Sequence, residues 1–103
     1  MPTEFQKRVY AAVRRIPRGR VTTYRQLADH IGCGCCRAVG QALKRNPYAP
    51  QTPCHRVIAS DLTLGGFAGQ SQGEAIAKKR RLLAKEGVVF RNGKLADPAR
   101  VLP

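Results

Sequence analysis

Cys54 and His55 stand side by side in Pro53-Cys54-His55-Arg56-Val57-Ile58, a thiol next to an imidazole between a rigid proline and a basic residue. A free thiol is a poor nucleophile at neutral pH, because a pKa of about 8.5 leaves only a few per cent as thiolate. His55 and Arg56 are therefore the side chains expected to help remove or offset its proton. A structural cysteine beside a surface histidine is the plain alternative, and these residues alone leave both open. Two further groups bear on the choice. Glu86 falls at the end of a predicted helix, where the helix dipole disfavours a carboxylate, although solvated glutamates are common there. Arg37 falls in the first turn of another predicted helix, aimed outward, where it is either a contact residue or an ordinary surface arginine.

The elements that must carry these groups read clearly in outline. Thr3 and Gln6 form a capping-box pattern, and Phe5, Val9, Ala12, Val13 and Ile16 follow at helical spacing, which predicts a helix from about Glu4 to Arg15. Pro17-Arg18-Gly19 makes a turn, and Val21-Thr22 leaves room only for a short extended link. Thr23 and Gln26 repeat the capping box before a short helix, Tyr24 to Ile31, that ends at Gly32. A third helix is predicted from near Cys36 to about Arg45, with Ala38, Val39, Ala42 and Leu43 on one face. The two short helices have the proportions of a helix-turn-helix over about 23–45, whose second helix presents its N-terminal residues to DNA.

Asn46-Pro47-Tyr48-Ala49-Pro50, with Pro53, delivers the chain to Cys54 on a stiff approach. Val57-Ile58-Ala59 reads as a strand, Leu62-Thr63-Leu64 as a segment able to pair with it, and Gly65-Gly66-Phe67-Ala68-Gly69 as a loop. A final helix from about Gly73 to Lys85 is expected to turn Ile76, Leu82 and Leu83 inward and Lys78, Lys79, Arg80 and Arg81 largely outward, with Gly87 capping its end. Val88-Val89-Phe90 and the Asn92-Gly93 pair predict a hairpin. The fold class expected is α/β: mainly helical, with short strands around the active-site segment 46–58.

At 103 residues the chain fits one domain, 1–103, with one modest core and room for one site. Nineteen Lys and Arg against six Asp and Glu give a formal charge of +13 distributed along the chain, which points to a polyanion, nucleic acid before an anionic membrane. No apolar run approaches the roughly 20 residues that span a bilayer, and Met1-Pro2-Thr3-Glu4 lacks the layout of a secretory signal. The expected setting is the cytosol or a nucleoid. Four cysteines in such a compartment are expected to be thiols, open to reactive roles.

In family order and at family-like spacing, Arg18-Gly19-Arg20-Val21-Thr22-Thr23-Tyr24, Arg37-Ala38-Val39-Gly40-Gln41-Ala42-Leu43, Asn46-Pro47, Pro53 to Ile58, Gly65 to Gly69, and Leu82-Leu83 through Glu86-Gly87 cover nearly the whole chain. The sequence thereby resembles the C-terminal, DNA-binding and catalytic domain of the alkylguanine-DNA alkyltransferases. The resemblance implies irreversible, single-turnover transfer of an alkyl group from the exocyclic oxygen of a flipped-out guanine to Cys54. It makes His55 the base, acting through a water, and Glu86 the group that orients the imidazole. Tyr24 would assist flipping and donate to the guanine ring as the alkyl group departs. Arg37 would be the finger that fills the gap left in the stack, and Thr23, Ala38 and Gly40 would meet the minor groove. Asn46 would be the hinge between the recognition helix and the active-site segment, and Val57 and Phe67 would line the base pocket. The implied partner is double-stranded DNA containing alkylated guanine, bound by a monomer, with no membrane, no cofactor and no metal.

Three features depart from that family pattern. The usual N-terminal domain has no counterpart in these residues, so a minimal version is expected. Phe67 replaces a tyrosine found in many members. Cys33-Gly34-Cys35-Cys36 is foreign to the pattern, and with His30 it invites a metal reading. Adjacent Cys35 and Cys36 cannot both chelate one ion without distorting the turn, so semi-buried thiols are preferred. The relatives called alkyltransferase-like proteins, which sense lesions without repairing them, share the short length but commonly carry tryptophan for the nucleophile. This chain keeps Cys54, His55 and Glu86 together. A general helix-turn-helix DNA-binding protein would leave the Cys-His pair unexplained, and a cysteine hydrolase would leave the charge unexplained.

Overall fold

The computed structural model describes residues 3–45, 52–65 and 73–102. Helix α1 (Glu4–Arg14) starts at the Thr3 cap, whose side chain accepts from the Gln6 amide while Gln6 returns the bond to the Thr3 amide. This closes two of the amides that a helix N-terminus leaves unpaired. The first strand, β1 (Thr22–Thr23), runs straight into α2 (Tyr24–His30), with Thr23 and Gln26 forming the second capping box. Helix α3 (Cys36–Lys44) follows a turn of a few residues. The chain then makes a 3-10 turn at Cys54–Arg56, enters β2 (Val57–Ile58), and later forms α4 (Glu74–Lys85). A hairpin of β3 (Phe90–Arg91) and β4 (Lys94–Leu95), turning at Asn92-Gly93, precedes a 3-10 turn at Pro98–Arg100.

The mixed α/β architecture agrees with the sequence-based expectation, with helix ends within a residue of those predicted. The strands do more than expected, because β1 and β2 pair in parallel with Thr22 opposite Val57 and Thr23 opposite Ile58. Parallel neighbours need a long crossover, here supplied by α2 and α3. The pairing fixes Tyr24, directly after β1, against the segment that carries Cys54, directly before β2. Val101 bridges Val21 on the far side of β1. Leu62–Leu64 engages both ways: the Ala59 amide donates to the Thr63 carbonyl, and Thr63 bridges Lys94 of the hairpin.

Two apolar clusters hold these parts. Val9, Tyr10, Val13 and Ile16 of the α1 region pack with Leu27, Ala28 and Ile31, with Val39, Ala42 and Leu43 of α3, and with Val57. The Tyr10 hydroxyl donates to the Ala42 carbonyl at 2.7 Å, so its burial leaves no unmet polar group. The second cluster joins Val21, Ile58, Leu83, Val88, Phe90 and Leu95. At about 1.5–3 kcal/mol for each fully buried aliphatic side chain, either cluster outweighs any one polar contact in fixing the fold. Val57 and Ile58, on opposite faces of β2, bind the two clusters together across the active-site strand.

Candidate active site

The 3-10 turn explains how three consecutive residues serve different ends. With three residues per turn, the side chains of Cys54, His55 and Arg56 diverge by about a third of a circle each. Pro53 is buried at its start, the Cys54 amide donates to the Thr52 carbonyl at 2.8 Å, and the Val57 amide donates to the Cys54 carbonyl. Thr52 is itself fully buried and receives Arg14 Nε from α1 at 2.8 Å. The nucleophile's backbone is thus tied to a helix before it and a strand after it.

His55 is buried, with Nε2 2.9 Å from Glu86 Oε2. A carboxylate can only accept, so Nε2 carries a proton in this contact, which leaves Nδ1 as the acceptor whenever the imidazole is neutral. Arg56 was expected beside the thiol and lies elsewhere. Its Nε and Nη2 donate to Glu86 Oε1 and Oε2, each at 2.9 Å, and its Nη1 donates to the Ile16 carbonyl at 2.7 Å. The guanidinium fork matches a carboxylate far better than it matches a sulfur. Burial alone would raise the Glu86 pKa, but hydrogen bonds from Arg56 and His55 and their charges overcome it and hold the carboxyl at about 2. Glu86, at the C-cap of α4, is therefore an anion fixed by two neighbours, which is what offsets its unfavourable place on the helix dipole.

Cys54 is half-buried and packs against the first cluster together with Tyr24. Burial, reinforced by the charge of Cys54, pushes the Tyr24 phenol up to about 12, so it holds its proton throughout the physiological range. Gly65 lies against the ring: a Cβ there would come within 3.1 Å of Tyr24 Cε2 and 3.3 Å of the Ala59 amide, and its φ of +69° excludes most side chains as well.

Lys79 is the exception to the expectation that α4's four consecutive cations face largely outward. Lys78, Arg80 and Arg81 are exposed, but Lys79 has no exposed surface. Its ammonium donates to the Val57 carbonyl at 2.7 Å and to the Leu64 carbonyl at 2.5 Å, and lies 5.7 Å from the centroid of the Tyr24 ring. Burial pulls its pKa down to about 7, while the Cys54 charge acts in the opposite sense. The signal was present in the sequence: Ile76, Lys79 and Leu83 fall at i, i+3 and i+7, one face of a helix. Ile76 and Leu82 are only partly buried, so Leu83 and Lys79 carry that face.

The remaining candidates divide by exposure. Arg37 is exposed in the first turn of α3, whereas Ala38 and Gly40 are half-buried beside it. A Cβ at Gly40 would meet no described atom within 4 Å, so packing inside the chain does not demand glycine. Thr23, expected at the DNA face, is buried with its hydroxyl committed to Gln26, and holds the start of α2 in place. Val57 is fully buried in β2. Asn46 and Phe67 lie outside the described residues. Cys35 and Cys36 are exposed and Cys33 half-buried, and among the described residues no group of three His, Cys, Asp or Glu side chains is placed to hold a metal ion. Among the described residues no helix is long and apolar enough to cross a membrane. A shallow groove of about 280 Å³ between α1 and the end of α2, lined by Arg8, Arg15 and His30 among others, shares no residue with this site.

The site gathers a half-buried thiol, an imidazole held by Glu86, a protonated phenol and a buried amine. Residues 4–88 match the family model of the 6-O-methylguanine DNA methyltransferase DNA-binding domain. A methylated-DNA–protein-cysteine methyltransferase of Methanothermobacter thermautotrophicus is 45% identical over 86 residues, 84% of this chain and 46% of the relative. One from Saccharolobus islandicus is 48% identical over 82% of this chain and 51% of the relative, so the chain spans about half the length of these curated relatives. Among solved structures, Mycobacterium tuberculosis OGT in complex with DNA is similar at 44% identity with a TM-score of 0.74, over 84% of this chain and 51% of that one. S. pombe Atl1, in complex with damaged DNA containing O6-carboxymethylguanine, is similar at 32% identity with a TM-score of 0.85, over 100% of this chain and 99% of that one.

Proposed function

The chain belongs to the 6-O-methylguanine DNA methyltransferase family, and from that premise we propose that it repairs duplex DNA by taking the alkyl group of an O6-alkylated guanine onto Cys54. The observation that supports this reading is the bond between His55 Nε2 and Glu86 Oε2, which in the neutral imidazole leaves Nδ1 as the nitrogen able to take a proton, in a site whose thiol is half-buried. In this reading the thiol proton passes to His55 Nδ1 through a water, and Glu86 steadies the imidazolium that forms. The sulfur then attacks the alkyl carbon as the carbon–O6 bond breaks, and the electron pair returns to guanine.

Tyr24 serves as the donor to that leaving base, because a phenol held at about 12 keeps its proton until one is needed. Lys79 adds positive charge behind the thiolate and ties the Val57 and Leu64 carbonyls into one wall of the pocket. In this reading Arg37, exposed in the first turn of α3, enters the base stack, and Ala38 and Gly40 allow a close approach to the minor groove. Thr23 contributes by holding α2, Asn46 as hinge, and Val57 and Phe67 as pocket wall. The partner is double-stranded DNA carrying the lesion, met by one copy of the chain. The reaction calls on no metal or cofactor, and a thioether offers no route back to the thiol, so each molecule reacts once.

A second reading, a lesion-binding protein without transfer, is favoured by the end-to-end match to Atl1. The assembled Cys54, His55 and Glu86 favour transfer. Incubation with duplex DNA bearing one O6-methylguanine, followed by peptide mass spectrometry, separates the two. One added methyl group on Cys54 supports repair, whereas lesion binding with an unmodified Cys54 supports the sensor. Cys54→Ala is expected to retain lesion binding and lose transfer, and persistent repair by that variant would refute the mechanism.

A further inference from the structure

Residues 97–102 follow the family-matched region, yet they are stitched into the part of the fold that carries the site. Asp97 caps the final 3-10 turn by accepting from the Ala99 amide at 3.0 Å. The Val21 amide donates to the Arg100 carbonyl at 3.0 Å, the Leu102 amide to the Val21 carbonyl at 2.8 Å, and Gln26 Nε2 to the Leu102 carbonyl at 2.9 Å. Arg20 Nη1 also donates to the Ala99 carbonyl at 2.7 Å. This segment therefore clamps both sides of Tyr24.

Its side chain of consequence is Arg100. Nη1 donates to the Gly19 carbonyl at 3.0 Å, and the guanidinium fills the space between Gly19 and Gly87. A Cβ at Gly19 would come within 3.1 Å of Arg100 Nη1 and 3.3 Å of the Glu86 carbonyl, and a Cβ at Gly87 within 3.4 Å of Arg100 Nη2. The Gly19 amide faces Glu86 Oε1 at 3.4 Å, while Arg18 Nη2 donates to the Lys85 carbonyl at 2.8 Å. The 17–20 turn and the 85–87 turn thus meet face to face, with Arg100 wedged where both lack side chains.

We propose that Arg100 is a positioning residue for transfer to Cys54: it sets the spacing between the Gly19 and Gly87 turns and thereby the aim of Glu86 Oε2 at His55. This rests on the repair reading given above. Arg100 touches neither DNA nor the thiol in this scheme, so its removal acts on the rate of transfer and not on lesion affinity. Small displacements of a group that orients a base cost rate steeply, which sets an expected loss on the order of tenfold.

The test uses the full chain with Arg100→Ala and Arg100→Lys, and single-turnover transfer from duplex DNA carrying O6-methylguanine. Arg100→Ala is expected to react to the same end point as the parent, with a rate constant lowered on the order of tenfold and unchanged lesion affinity. Arg100→Lys, which can still donate to the Gly19 carbonyl, is expected to recover most of the rate. A lower end point with an unchanged rate constant would show a purely structural role and overturn the proposal, as would full activity of Arg100→Ala. Alkylation of Cys54 by iodoacetamide is measured alongside. If the parent fails to repair DNA, but its Cys54 reacts with iodoacetamide faster than that of Arg100→Ala, the repair reading fails and the positioning role stands.

Discussion

The Lys79 ammonium lies 5.7 Å from the centre of the Tyr24 ring, and both side chains are electrostatically coupled to Cys54. A buried cation over an aromatic face contributes on the order of 2 kcal/mol when desolvated, and here it also bonds two carbonyls. One side chain thus joins α4, β2 and the first turn of α2 at the proposed nucleophile.

Lys79→Met keeps the aliphatic length and removes the charge and its donors. The buried Val57 carbonyl loses a donor, at a cost of about 1–3 kcal/mol, and the part-buried Leu64 carbonyl loses one too, so the variant should be clearly less stable in urea unfolding. Transfer to Cys54 should slow on the order of tenfold or more, because a thiolate loses a nearby cation. The parent's own stability should rise with pH from about 7 towards 10.5, since the unfolded lysine binds its proton more tightly in that window. Lys79→Met should lack that rise. An unchanged urea midpoint and rate constant would show that Lys79 is incidental.

Glu86 supplies the opposite limb. Its folded carboxyl sits at about 2 against an ordinary 4.5, so its contribution is fully present above 4.5 and is lost as pH falls from there through about 2. The urea midpoint should therefore drop steeply between pH 5 and pH 2.5. Glu86→Gln should flatten that drop, because a neutral amide cannot respond to it. Arg56→Ala should cost about 3 kcal/mol or more, since it leaves a buried carboxylate with His55 as its remaining side-chain partner. A midpoint independent of pH over this range would contradict the pairing.

What the sequence made legible was local. Thr3 with Gln6 and Thr23 with Gln26 each satisfy an amide three residues away, so the spacing alone announces the cap. The Asn92-Gly93 turn is legible for another local reason, because both residues take positive φ readily. Arg56 meeting Glu86 across 30 residues is not, because only the parallel pairing of β1 with β2 and the seat of Leu83 in the second cluster bring them together. Lys79 lay between. Its helical phase was readable, but four consecutive cations look like a solvated face unless the phase is weighed above the charge.

Arg37 is exposed at the start of α3. Arg37→Ala should shift stability by no more than about 0.5 kcal/mol, the usual range for a surface site. Its effect should fall on duplex DNA, where a flipped base leaves a gap to fill, and should be small on free O6-benzylguanine, where nothing is flipped. Comparing the two rate constants checks this. Equal losses on both substrates would count against an intercalating role and point to a change within the pocket.

Gly40 separates fold from function most cleanly. It sits inside α3, and a Cβ there would meet no described atom within 4 Å. Alanine is favoured over glycine in a helix interior by about 0.5–1 kcal/mol, so Gly40→Ala should raise the melting temperature of the free protein. If α3 lies against the minor groove as proposed, the added methyl group stands between helix and DNA, and lesion-duplex affinity should fall although the protein is more stable. Reaction with free O6-benzylguanine should be unchanged, because Cys54, His55 and Glu86 are untouched. Opposite movements of melting temperature and DNA affinity would assign Gly40 to the interface. Parallel increases would mean that α3 meets DNA through another face, and the placement of Ala38 and Arg37 at the groove would fall with it.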